Sequence, residues 1–122
     1  MYQLTTEDLA RLSHNPSPEV RASIGKKIAR DHEDRRYSEY ERVLAEKIMT
    51  VLAEDAEVLV RSRLAWELRS SNSIPKEIAL KLAQDVEEVS LPLLKFSPLL
   101  EPEDLIEIIR QGSTDKNMVI AS

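Results

Sequence analysis

The chain has 122 residues, of which 42% are hydrophobic and 32% charged, with a formal net charge of −5 and no cysteine. That length supports one domain around one continuous core, and the lack of thiols excludes a disulfide framework, a thiolate zinc site and a cysteine nucleophile. The acidic balance argues against non-specific nucleic-acid binding, which needs cations in excess; with no bilayer-spanning apolar run and no signal peptide in Met1-Tyr2-Gln3-Leu4-Thr5-Thr6-Glu7-Asp8, a cytoplasmic protein is expected.

Only 2 glycines and 4% aromatics, against many Leu, Ala, Glu, Lys and Arg, favour an all-α fold. In chain order, a short helix is expected near Thr6 to Leu12. The next begins at Ser17-Pro18-Glu19, where a serine cap precedes a proline at the first helical position, and runs to about Arg30 on the stripe Val20, Ile24, Ile28. The charge run Asp31-His32-Glu33-Asp34-Arg35-Arg36 reads as a solvated connection. Ser38-Glu39-Tyr40-Glu41 has the form of a capping box and opens a helix to about Ala53. Helices from about Ala56 to Arg69, Pro75 to Gln84, Val86 to Lys95 and Pro102 to Arg110 follow, with a last one from about Thr114. Prolines at 75 and 102 are read as helix starts, because the first turn leaves amide donors unused. Pro92 falls inside Val89-Ser90-Leu91-Pro92-Leu93-Leu94 and is expected to bend one helix rather than start another. Short connections force successive helices antiparallel. Val20, Ile24, Ile28, Ile48, Leu52, Leu64, Leu68, Ile78 and Leu82 form the expected core.

The chain also repeats itself. Leu52-Ala53-Glu54-Asp55-Ala56-Glu57-Val58 returns 30 positions on as Leu82-Ala83-Gln84-Asp85-Val86-Glu87-Glu88-Val89, with Asp85 in the place of Asp55. Repetition at this spacing implies stacked helical hairpins whose units cannot bury their apolar faces alone. A second alignment sets Asn15, Val20, Arg21, Ile24, Gly25 and Ile28 against Asp55, Val60, Arg61, Leu64, Ala65 and Leu68. An acidic or amide turn residue, a Val-Arg pair and a small residue one turn on resemble the HEAT repeat. Arg61 is expected to bond Asp55 or a carbonyl at that turn. Asp85 is kept in the third unit, but Val89-Ser90 offers no arginine, so the series of such contacts should stop there. Leu91-Pro92-Leu93-Leu94 followed by Ser97-Pro98-Leu99-Leu100 is the block most similar to an uncharacterised bacterial HEAT-like family, known as domain of unknown function 2336. That resemblance implies a right-handed α-solenoid of antiparallel hairpins, with units roughly at 1–31, 38–70 and 75–97 and a partial one at 102–122. It implies no catalytic residues, and it suggests an N-terminal piece of a longer protein.

The search for chemistry returns little. His14 and His32 are the only imidazoles, so a metal site would have to recruit carboxylates such as Asp31 or Glu33. Gly25 and Gly112 cannot assemble a phosphate loop. No catalytic residue, cofactor or metal is expected, and the chain is read as a non-enzyme. A nucleic-acid role is the alternative, resting on Arg21, Lys26, Lys27, Arg30, Arg35, Arg36, Arg61, Arg63 and Arg69. Interleaved acids and scarce aromatics weigh against it. Trp66 lies about 200° around its helix from the core residue Leu64. With Leu59, Ser62 and Arg63 it forms a second stripe that either packs on a neighbouring unit or anchors a partner, since aromatic and arginine side chains dominate binding hot spots. The expected function is therefore a protein-interaction scaffold or adaptor, with Leu59, Arg63 and Trp66 as partner contacts. Self-association is possible through an apolar C-terminal edge at Ile109, Met118 and Ile120.

Overall fold

The computed structural model describes residues 17–111, and every regular element among them is a helix. In chain order these are α1 (Pro18–Glu33), α2 (Glu39–Leu52), α3 (Val58–Leu68), α4 (Lys76–Ala83), α5 (Glu87–Phe96) and α6 (Pro102–Gln111). The helices expected near Thr6 and from Thr114, together with Asn15, Met118 and Ile120, lie outside the described residues.

Local sequence sets the helix starts. The Ser17 hydroxyl accepts a hydrogen bond from the Val20 amide at 3.3 Å, with Pro18 as first helical residue. At α2 the capping box closes from both sides: the Glu41 amide donates to Ser38 Oγ at 3.2 Å and the Ser38 amide to Glu41 Oε1 at 3.1 Å. Pro102 opens α6, where Asp104 Oδ2 accepts from the Glu101 amide at 2.8 Å. Pro75 departs from the expected position. It stands just before α4 as the capping residue, with ψ of 138° and no side-chain acceptor. Helix α5 runs through Pro92 as one element, so no new helix begins at Leu91.

The charge run after Arg30 is a solvated connection only in its second half, where Asp34, Arg35 and Arg36 are exposed beyond the helix end. Asp31, His32 and Glu33 complete α1, and Asp31 and His32 are each only 4% exposed. The apolar stripe Val20, Ile24, Ile28 reaches position 32 at its next step of four, so His32 faces the core despite its charged neighbours. Its Nε2 meets Glu46 Oε2 of α2 at 2.8 Å. Burial pushes the Asp31 carboxyl above its ordinary value, against the opposing pull of Lys27 and Arg36. The turn closes with the Arg36 amide on the Asp31 carbonyl and Arg35 in the left-handed region at φ 57°. This is the position where helices most often carry glycine. Arg35→Gly should therefore raise stability by about 1 kcal/mol, the cost of left-handed backbone for a side-chain-bearing residue. Denaturant unfolding checks it.

The helices form two layers. α1 packs on α3 and α3 on α5, while α2 rests on α1 and α3, and α4 on α3 and α5. The direction of the chain follows from ion pairs. Arg21 at the start of α1 meets Asp55 just before α3, and Arg30 near the end of α1 meets Glu67 near the end of α3. α1 and α3 therefore run parallel, and α2 returns between them. Ile24, Ile28, Ile48, Leu52, Leu64, Leu68, Ile78 and Leu82 join one buried cluster that extends through Val89 and Leu93 to Ile108, with Val20 packed at its margin. Gly25 permits close approach at its centre: a Cβ there would lie 3.2 Å from Leu52 Cδ1.

Candidate partner-binding face

Two arginine clamps set the register of the layer that carries the face. Arg21 donates to both carboxylate oxygens of Asp55, Nε to Oδ2 at 2.7 Å and Nη2 to Oδ1 at 3.0 Å. Arg61 does the same to Asp85 at 2.7 and 3.2 Å, and its third nitrogen, Nη1, donates to the Asp55 carbonyl at 2.6 Å. Each aspartate also holds the turn in front of its helix, Asp55 by accepting from the Glu57 amide at 3.0 Å and Asp85 from the Val86 amide at 2.6 Å. Arg61 thus takes the carbonyl at its own turn, while the side chain it grips belongs to the next repeat. In the equivalent third position Ser90 is fully buried and its hydroxyl turns back to the Glu87 carbonyl.

The Arg21–Asp55 clamp has a pH signature. Burial acts to raise the Asp55 carboxyl, but the Arg21 guanidinium and the Glu57 amide outweigh it and hold the group below its ordinary value of 3.8. A carboxyl depressed in the folded state contributes stability that is complete above that ordinary value and is lost as pH falls through the lower, folded one. The thermal midpoint should therefore drop on acidification below about 3.8, and Asp55→Asn should flatten that drop. Melting curves across the acid range read it directly.

On the exposed side of α1 and α3 lies a groove of about 680 Å³. One wall is the α1 stripe Glu19, Ser23, Lys26 and Arg30; the other is the α3 stripe Leu59, Ser62, Arg63 and Trp66. Successive residues of the α1 stripe are three or four apart, and on α3 Ser62 and Arg63 each stand three or four from both Leu59 and Trp66, so both walls follow from helical pitch. The structure brings together all three expected partner contacts, Leu59, Arg63 and Trp66. Trp66 is 51% exposed, and the Arg69 guanidinium stacks 3.8 Å from its ring centroid while Arg69 Nη1 donates to the Trp66 carbonyl at 2.6 Å. The indole is thus held from one side and open on the other. Glu67 is neutralised by Arg30 at 3.3 Å. Lys26 and Arg63 have no hydrogen-bond or ion-pair partner among the described residues.

The expected repeat-motif residues Val20, Arg21, Asp55, Val60, Arg61 and Asp85 lie in or beside the packing of α1, α3 and α5, and none lines the groove. Sequence reasoning did not single out the α1 wall as the counterpart of Trp66. Its signal was available in Ser23, Lys26 and Arg30, spaced three and four apart on the side of α1 away from Ile24 and Ile28. At the other end of the chain, Ile106 is 50% and Ile109 37% exposed.

Among the described residues no group of three His, Cys, Asp or Glu side chains converges to hold a metal ion. No helix among them is long and apolar enough to cross a membrane. No protein-family model matches the chain, and no curated protein or solved structure matches it either.

Proposed function

We propose that this chain is a non-enzymatic protein-interaction scaffold or adaptor, a HEAT-like stack of helical hairpins that engages its partner across the α1–α3 face. The layering of α1, α3 and α5 against α2 and α4, and the clamp repeated from Arg21–Asp55 to Arg61–Asp85, support the stacked-repeat reading. The resemblance to domain of unknown function 2336 points the same way. The observation that carries the functional reading is Trp66: a large aromatic side chain half open to solvent, braced by Arg69 in a groove that also presents Arg63 and Lys26. Nothing in the core needs it there, and an aromatic beside an exposed arginine is what binding hot spots are made of.

Affinity capture from native lysate, comparing the wild-type chain with Trp66→Ala and Arg63→Glu, tests this. Both variants should melt near the wild-type midpoint, since exposed positions contribute within about 0.5 kcal/mol, and both should lose the same captured protein. Capture that survives both substitutions would place the binding face elsewhere or remove the role.

A further inference from the structure

Resting on that reading of the α1–α3 face, we infer that the groove takes an acidic peptide segment with one apolar side chain, its carboxylates on Lys26 and Arg63 and the apolar group on Trp66. The charge pattern carries the argument. Of the five charged side chains in the walls, Arg30 and Glu67 already neutralise one another. That leaves Lys26 on α1 and Arg63 on α3 as cations without a partner among the described residues, one on each wall of the groove, with Glu19 lying toward the start of α1. Arg69 adds a third positive group behind the indole, and it has no carboxylate partner among the described residues. The open half of the Trp66 ring and Leu59 supply apolar surface between these cations. A ligand suited to this surface carries two negative charges flanking an aromatic or aliphatic side chain.

A nucleic acid fits less well for a reason of spacing. It carries a negative charge on every residue and could not pass along the groove without setting a phosphate against Glu19. It would also find one aromatic platform where single strands use several. A peptide places its charges only where its sequence puts them, so it can meet the cations and avoid Glu19.

Selection of random dodecapeptides displayed on phage against the full chain tests the assignment without presuming a partner. Enriched sequences should pair Asp or Glu with a Trp, Phe, Tyr or Leu. Synthetic versions should change the emission of Trp66, the single tryptophan of the chain. Lys26→Glu with Arg63→Glu should weaken their binding by at least about tenfold, as reversing charges across a complementary contact does. The neutral pair Lys26→Gln with Arg63→Gln should fall between. Three results would overturn the inference: enrichment of neutral or basic sequences, acidic binders indifferent to both double variants, or an oligothymidylate of similar length binding more tightly than the selected peptides and quenching Trp66. Non-acidic binders that still depend on Trp66 would defeat the charge assignment alone and leave the interaction module standing. Lysate capture that survives both Trp66→Ala and Arg63→Glu would instead defeat the reading of this face on which the inference rests.

Discussion

Leu64→Ala should lower the free energy of unfolding by about 2 to 5 kcal/mol, the range for removing a large aliphatic side chain from a packed core. Leu64 is 1% exposed and sits where α1, α2 and α3 converge, with its Cδ1 3.8 Å from the position a Cβ would take on Gly25. Glycine at that point leaves no side chain to fill the space, so relaxation into the cavity is limited. For a domain of this size the loss corresponds to a fall in midpoint on the order of 10–30 °C. Thermal and denaturant unfolding both measure it. The result bears on function as well as fold, because Leu64 and Trp66 share a helix and point about 200° apart. If the leucine is core, the tryptophan faces out. A neutral Leu64→Ala would mean that α3 is rotated about its axis, and the groove would lose one wall.

Arg61→Ala should cost about 3 kcal/mol, because it strips Asp85 of a two-pronged partner and the Asp55 carbonyl of its donor in a setting where water reaches neither freely. The Arg61 and Asp85 side chains are 16% and 15% exposed. Arg61→Lys should recover only part of the loss, since an ammonium cannot donate to both carboxylate oxygens and to the carbonyl at once. Combining Arg61→Ala with Asp85→Asn should cost clearly less than the sum of the two, the mark of a direct interaction. Partner capture by the folded fraction should be unchanged, because Arg61 does not line the groove. An unaltered midpoint with capture abolished would reverse the division of labour between clamp and face.

Helix placement was legible because this sequence punctuates plainly. Ser17-Pro18, the Ser38 to Glu41 box and Pro102 each meet a requirement of the first helical turn, and the apolar stripes between them hold one period. The reading failed where composition and period disagreed. Asp31-His32 looks like surface by residue type, but continues the stripe of Ile24 and Ile28 by spacing. Spacing prevailed because His32 finds Glu46 on the facing helix, a partner that no local pattern announces. Arg61 shows the same limit. That it would serve the turn near Asp55 followed from the repeat, whereas its grip on Asp85 depends on how far one repeat is offset from the next. Helix pitch put Leu59, Arg63 and Trp66 on one stripe. Which stripe of which helix stands opposite is a matter of packing, so Lys26 and Arg30 entered the site only with the fold.

The most direct test of the central claim, that the open α1–α3 face is where this chain binds its partner, is amide and indole chemical-shift mapping during titration with a captured partner or a selected peptide. Shifts should concentrate on Ser23, Lys26, Arg30, Leu59, Arg63 and the Trp66 indole, and leave Val43 and Val51 on the exposed side of α2 unmoved. Shifts centred instead on Val43, Val51 and the α4 surface, with the Trp66 indole stationary, would contradict the account.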